Sequence, residues 1–94
     1  MAILHIINKL NKSNDSLAKT IAQEDSILLI EDALFMLRSH IEFIKQLAKK
    51  YKIYGIKQDA EARAVANITT DVKLIDYHEF VTLTENHNKT LSWY

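Results

Sequence analysis

The sequence predicts an α/β fold: a three-layer α/β/α sandwich around a mostly parallel sheet of about five strands. Three observations carry that expectation. The first is Ile27-Leu28-Leu29-Ile30, an unbroken run of branched apolar residues that ends abruptly in Glu31-Asp32. A strand with one wet face alternates apolar with polar, so a run without alternation marks a strand covered on both faces, the habit of parallel sheets. The second is the alternation of such short runs with segments of helical periodicity along the chain. The third is size: 94 residues, 48% of them hydrophobic, suffice for one small domain over residues 1–94 with a real core.

Ile3-Leu4-His5-Ile6-Ile7 is the first strand, short and mostly apolar. Residues 8–16, rich in Asn, Ser and Lys, read as a loop. Ser13, Asn14 and Asp15 cap a short helix whose apolar face is Leu17, Ala18, Ile21 and Ala22. Glu24-Asp25-Ser26 then leads into the central strand, 27–30. Residues 33–50 form the longest helical pattern, with Asp32 at the N-cap and Lys49-Lys50 answering the negative end of the macrodipole. Leu34, Leu37, Ile41, Ile44 and Ala48 make one apolar stripe, and Met36, His40, Phe43 and Leu47 a second. Arg38, Glu42, Lys45 and Lys49 make the polar back. The two stripes exceed the ~100° arc that packing on one sheet requires. Either neighbouring helices or another protein chain would cover the excess.

Residues 51–56 are the third strand, 58–65 a short helix, 67–71 a polar connection and 72–75 the fourth strand. Asp76 and Glu79 have the spacing of a capping box, and Tyr77, Phe80, Val81 and Thr84 continue that helix until Asn86-His87-Asn88 ends it. Residues 89–94 are a last strand, alternating and aromatic, which suits a sheet edge.

Composition removes several function classes. There is no cysteine, hence no disulfide, zinc–thiolate site or thiol nucleophile in this chain. With no proline and Gly55 alone, a glycine-rich phosphate loop is excluded. No apolar run reaches membrane-spanning length, and the first residues lack the pattern of a signal peptide, so the cytoplasm is the expected compartment. Formal net charge is zero, which gives no support to unaided nucleic-acid binding. Lys45, Lys49, Lys50, Lys52 and Lys57 lie close in sequence and read as a solvated helix face and loop.

Constellations that would carry chemistry fail one by one. Glu31 and Asp32 are adjacent and do not face one another. A phosphoacceptor receiver would place acids where this chain has Asn8-Lys9 and Gly55-Ile56-Lys57. The polar loop 8–16 suggests a flavodoxin phosphate loop but has neither glycine nor an aromatic residue placed to sandwich a flavin. His5, His40, His78 and His87 have no metal spacing, and His5 and His40 read as hydrogen-bonded packing residues. Arg63 would bind an anion, a partner carboxylate or simply a surface acid. No catalytic, cofactor-binding or metal-ligating residue is assigned, and no cofactor is expected. The residues alone describe a small α/β interaction subunit.

Four segments, in order, carry a resemblance: 4–9 (LHIINK), 27–32 (ILLIED), 53–63 (IYGIKQDAEAR) and 73–84 (KLIDYHEFVTLT), followed by His87 and Leu91-Ser92-Trp93. Together they resemble the TusB/DsrH family across nearly the whole chain. The resemblance implies a DsrEFH-like fold. It implies one of three related subunits in a dimer of heterotrimers, with TusC-like and TusD-like sisters and a TusE-like sulfur acceptor. That complex relays persulfide sulfur toward 2-thiolation of the wobble uridine of tRNA. The sulfur-carrying cysteine belongs to the TusD-like sister, so this cysteine-free chain is expected to be non-catalytic, to accept no sulfur and to make no direct tRNA contact. A DsrH-type subunit of a sulfur-oxidation complex and a stand-alone flavodoxin-like ligand-binding domain are the alternatives. Where the family has glycine after the strand-end aspartate and after Ala-Arg, this chain has Ala33 and Ala64. Both prefer negative φ, so local differences at helix starts and ends are expected.

A partner interface is expected to draw on Phe35, Met36 and Phe43 of the long helix, on Asp32, Arg63 and Asp76 at strand ends, and on Trp93. Phe35 is the sharpest of these. It projects near the polar back of the helix, where burial inside the monomer is hard to arrange.

Overall fold

A computed structural model describes residues 2–8, 24–65 and 71–93, with Trp93 described by its backbone. The expected short helix at 17–22, most of the loops 8–16 and 67–71, and the packing of the Trp93 and Tyr94 side chains lie outside the described residues.

Strands β1 (Ile3–Ile7), β2 (Ser26–Leu29), β3 (Lys52–Ile56), β4 (Val72–Ile75) and β5 (Lys89–Trp93) form one sheet in the order β4-β3-β2-β1-β5. Every neighbouring pair is parallel. The apolar run that predicted a doubly covered strand is indeed the middle of the sheet: Ile27, Leu28 and Leu29 have no exposed surface. The strand starts one residue earlier than expected, and Ile30 falls outside it in extended conformation. β5 lies at an edge, as its alternation predicted.

Alternate residues of the strands feed two cores, because successive side chains point to opposite faces. Ile7, Ile27, Leu29, Ile53 and Val72 pack with Leu34, Leu37, Ile44 and Leu47 on one face. Leu4, Ile6, Leu28, Ile56 and Ile75 pack with Leu83 on the other. The second face is served by α4 (Tyr77–Glu85). Its N-terminus forms the expected capping box: Glu79 N–H donates to Asp76 Oδ1 at 2.7 Å, and Asp76 N–H to Glu79 Oε1 at 3.4 Å.

The single helix expected over 33–50 is three pieces. A 3-10 segment (Glu31–Phe35) leads into α1 (Met36–Ser39), and α2 (Ile41–Ala48) follows a break at His40, whose φ is −132° and ψ 40°. At the break Ser39 Oγ donates back to the Phe35 carbonyl at 3.2 Å and lies 2.8 Å from His40 Nδ1. Such hydroxyl back-bonding competes with the helical ladder and bends it. Of the two predicted stripes Leu34, Met36, Leu37, Ile44 and Leu47 are buried, while His40, Ile41, Phe43 and Ala48 stay part-exposed. The expected N-cap is also absent. Asp32 caps nothing, and the segment is entered through Glu31 at φ 51°.

Two further features position the ends of the sheet. A Cβ on Gly55 would stand 3.0 Å from Leu34 Cδ1 and 3.1 Å from Leu74 Cδ2, so the bare glycine is what lets the 3-10 segment settle onto β3. At the amino end, buried His5 Nε2 and Asp25 Oδ2 are 2.8 Å apart, and Asp25 Oδ1 accepts the Ile3 N–H at 2.9 Å. His5 is thus the hydrogen-bonded packing residue that the sequence suggested.

Candidate functional site

The carboxyl ends of β2, β3 and β4 deliver three loops to one polar cluster, the edge where open parallel sheets usually present their working surface. Its hub is Asp59 in the first turn of α3 (Lys57–Ala62). Asp59 Oδ2 accepts the N–H of Glu31 at 2.8 Å, which holds Glu31 in its left-handed conformation. Asp59 Oδ1 accepts the Tyr77 hydroxyl at 3.1 Å, tying in the start of α4. Its carbonyl accepts Arg63 Nη1 at 3.3 Å, and Arg63 Nε donates to Asp32 Oδ1 at 2.9 Å. One aspartate therefore links the segments that follow all three strands.

Electrostatics follow from these bonds. The hydrogen bond to Asp32 leads the effects that raise the Arg63 guanidinium further above its already high range, with the charges of Asp32, Asp59 and Glu31 adding to it. The Tyr77 phenol is pushed above its usual 10.0, first by the bond to Asp59. The cluster thus holds its anions against donors and its phenol protonated. Among the described residues no group of three or more His, Asp or Glu is placed to hold a metal ion. Among the same described residues no helix is long and apolar enough to cross a membrane. What the arrangement offers is a braced, charged surface.

The end of α3 completes that surface. Ala64 N–H donates to the Glu61 carbonyl at 3.1 Å and Val65 N–H to the Ala60 carbonyl at 2.9 Å, with Ala64 at φ 53°. This is a Schellman C-cap in which alanine occupies the left-handed position that glycine usually takes. The backbone difference expected at Ala64 is therefore absent; the alanine accepts the left-handed geometry. Arg38 clamps the Ala64 carbonyl from α1. Ala33, the other expected departure, is fully buried inside the 3-10 segment, and the positive φ falls on Glu31 instead.

The residues expected at an interface are distributed unevenly. Asp32 and Arg63 meet as an ion pair, and Asp76 caps the neighbouring helix α4. Phe35 is 39% exposed at the end of the 3-10 segment. Met36 is a correction: it has no exposed surface and packs in the core with Leu34 and Leu37. Phe43 is half-buried against the same core. The Trp93 backbone pairs with Ile7 at the edge strand. Asp59 was missed from sequence, although its position four residues before Arg63 places both on one side of a helix.

The class of protein is set by the fold. The sheet and its helices on both faces match the crystal structure of the ychN protein from E. coli, with a TM-score of 0.70 over 99% of each chain at 12% identity. This is the DsrEFH-like three-layer sandwich. The sequence goes further: residues 10–90 match the family described as DsrH like protein, and the chain belongs to that family. Relatives named Protein TusB include one from Pectobacterium parmentieri, 33% identical over 84% of this chain and 85% of its own. Another, from Buchnera aphidicola subsp. Acyrthosiphon pisum (strain 5A), is 36% identical over 94% of this chain and 83% of its own. Protein TusB of Escherichia coli (strain K12) is 29% identical over 83% and 84% respectively.

Proposed function

We propose that this chain is a non-catalytic, TusB-type subunit of a cytoplasmic sulfur-relay complex that serves 2-thiolation of the wobble uridine in tRNA. The supporting observation is family membership across residues 10–90 in a chain without a cysteine. A persulfide carrier needs a thiolate, so the transferred sulfur would travel on a sister subunit. The whole chain acts as one DsrEFH-like domain beside TusC-like and TusD-like sisters in a dimer of heterotrimers. Its contribution is shape and contact, for which the Asp59-braced edge with Asp32, Arg63 and Asp76, flanked by Phe35, is the natural surface. Phe43 and Trp93 are secondary candidates.

Co-expression with the two sister subunits tests this reading. Purification of all three chains at the mass of a dimer of heterotrimers is the expected result. A monomer that carries flavin or nucleotide would overturn it in favour of a stand-alone ligand-binding domain. Phe35→Asp should weaken assembly, since a centrally placed interface aromatic contributes about 2 kcal/mol or more. Because more than half of Phe35 is covered by its own chain, the same change should also cost the monomer about 1–2 kcal/mol of buried apolar area. Assembly must therefore be compared at a temperature where both monomers are folded. Unchanged assembly there would move the interface away from Phe35.

A further inference from the structure

We infer that the outer edge of β5 pairs antiparallel with β5 of a second copy of this chain, about a two-fold axis at Leu91. Among the described residues β5 has a strand neighbour, β1, on one side only. Strands of a parallel sheet are normally covered on both faces. β1 is buried from Leu4 to Ile7, β2 is buried throughout, and even β4, the other edge, buries Val72 and Ile75. In β5, by contrast, Lys89, Thr90, Leu91 and Ser92 are all exposed. Leu91, a large apolar side chain in the middle of the strand, is 36% exposed. Edge strands that stay single are usually guarded by proline, a bulge or charges along their length. β5 has no proline, and its one charge, Lys89, stands at the first position. It has no bulge either, because Lys89 to Trp93 keep an unbroken register with Ile3 to Ile7.

The second copy is favoured because the strand is complementary to itself. Residues opposite one another in a ladder share a face of the sheet, and successive residues alternate between faces. The ladder with β1 sets positions 89, 91 and 93 in register with Ile3, His5 and Ile7, and positions 90 and 92 with Leu4 and Ile6. A two-fold axis normal to the sheet preserves these faces. Centred on Leu91, it sets Leu91 opposite Leu91, Thr90 opposite Ser92, and Lys89 opposite position 93. Leucine meets leucine, hydroxyl meets hydroxyl, and no like charges meet. A slip of one residue would oppose the two faces. A slip of two in either direction leaves part of the strand unpaired, and toward its start also sets Lys89 against Leu91. The register at Leu91 alone engages the whole strand, and it joins the two five-stranded sheets into one. This inference does not rest on the sulfur-relay reading. β1 and β2 separate β5 from β3, whose following helix carries Asp59, so the pairing leaves the Asp59 cluster open to other partners.

The chain has no cysteine, so a single introduced thiol reports its own neighbour. Opposite residues in an antiparallel pair have Cβ atoms about 4.5–5.5 Å apart, near enough for a disulfide after small adjustment. Leu91→Cys in the full chain should therefore cross-link to a covalent dimer under mild oxidation. Lys89→Cys should not, because the two copies of position 89 lie about 13 Å apart along the strands. Sedimentation velocity on the parent chain should show the mass rising with concentration toward that of two chains. Leu91→Lys sets like charges opposite each other and should weaken that association by roughly fivefold or more. Where Leu91→Lys does not fold by circular dichroism, the two cysteine variants decide alone. Equal cross-linking at both positions, a parent chain that stays monomeric, or a dimer indifferent to a folded Leu91→Lys would each overturn the proposal. So would hydrogen-exchange protection of β5 that arises only with co-expressed sister subunits, since the occupant would then be a sister's strand.

Discussion

At the carboxyl end of the sheet, three loops are laced together through Asp59, and Arg63 adds a bond to Asp32. At the amino end, polar groups are either sealed inside, as with His5 and Asp25, or exposed around a hollow, as with Lys50 and Lys52. The difference is one of depth. The carboxyl cluster is shallow, so each of its bonds competes with water and contributes little singly. The amino pair is buried, so it contributes more and tolerates less. One end is a surface made rigid by many weak ties. The other is a fixed frame beside a hollow of about 600 Å³.

Asp25→Ala should break this contrast most severely. It removes the carboxylate that the buried His5 ring and the Ile3 N–H both use. Leaving buried polar groups without these bonds costs about 3 kcal/mol in total. Urea denaturation followed by circular dichroism measures it. A loss below about 1 kcal/mol would mean that water or a neighbour replaces the carboxylate readily, and that the amino end is no stiffer than the other.

Asp59→Ala is the matching change at the carboxyl end. It frees the Glu31 N–H, which sits in an unfavourable backbone conformation, and removes an acid from the first turn of α3. Because the site is partly exposed, a loss of about 1 kcal/mol is expected. Hydrogen exchange should speed up at residues 31–33, while the core strands stay protected. If exchange rises only within α3, the loops are braced independently and Asp59 is not their hub.

These two aspartates also mark what the sequence could and could not reveal. The strands were legible because burial leaves a pattern: β1 and β4 fall at their expected bounds, and Ile27-Leu28-Leu29 announced a strand covered on both sides. The capping box at Asp76 was legible because it is local, with both partners within one turn. The break at His40 was not. The apolar period runs through it, and the Ser39 hydroxyl that bends the helix looks like any polar residue on the solvent side. Asp59 was not legible either. Its bonds reach 28 residues back to Glu31 and 18 forward to Tyr77, distances over which no periodicity carries information. Asp32 was misread as a cap for the same reason, since its real partner is Arg63 in another element.

Ala64→Gly sharpens the comparison from the opposite sign. Ala64 holds a left-handed conformation at the end of α3. A residue with a Cβ is disfavoured there by roughly 1–2 kcal/mol, partly offset by the greater freedom that glycine brings to the unfolded chain. A gain of about 1 kcal/mol in stability is expected, readable as a higher urea midpoint with an unchanged slope. A loss would mean that the Arg38 clamp on the Ala64 carbonyl, together with the alanine methyl, already favours this geometry.

The smallest effect is the most direct test of whether the carboxyl edge stays laced in solution. Tyr77 is half exposed, yet its phenol lies above the ordinary 10.0, chiefly because its hydroxyl donates to Asp59. Ionising it would set a phenolate 3.1 Å from a carboxylate oxygen, so the folded chain favours the protonated form. The sign follows. The contact stabilises the fold in full below the ordinary phenol range and fades as pH rises through the raised value of the folded state. Ring-carbon NMR of Tyr77 across the alkaline range should give a midpoint above 10.0 in the parent chain. Asp59→Asn should return that midpoint toward the ordinary value by removing the negative charge. An ordinary midpoint in the parent would mean that the Tyr77–Asp59 bond does not persist. The loops after β3 and β4 would then move separately, and the carboxyl edge would be a looser docking surface than its hydrogen bonds imply.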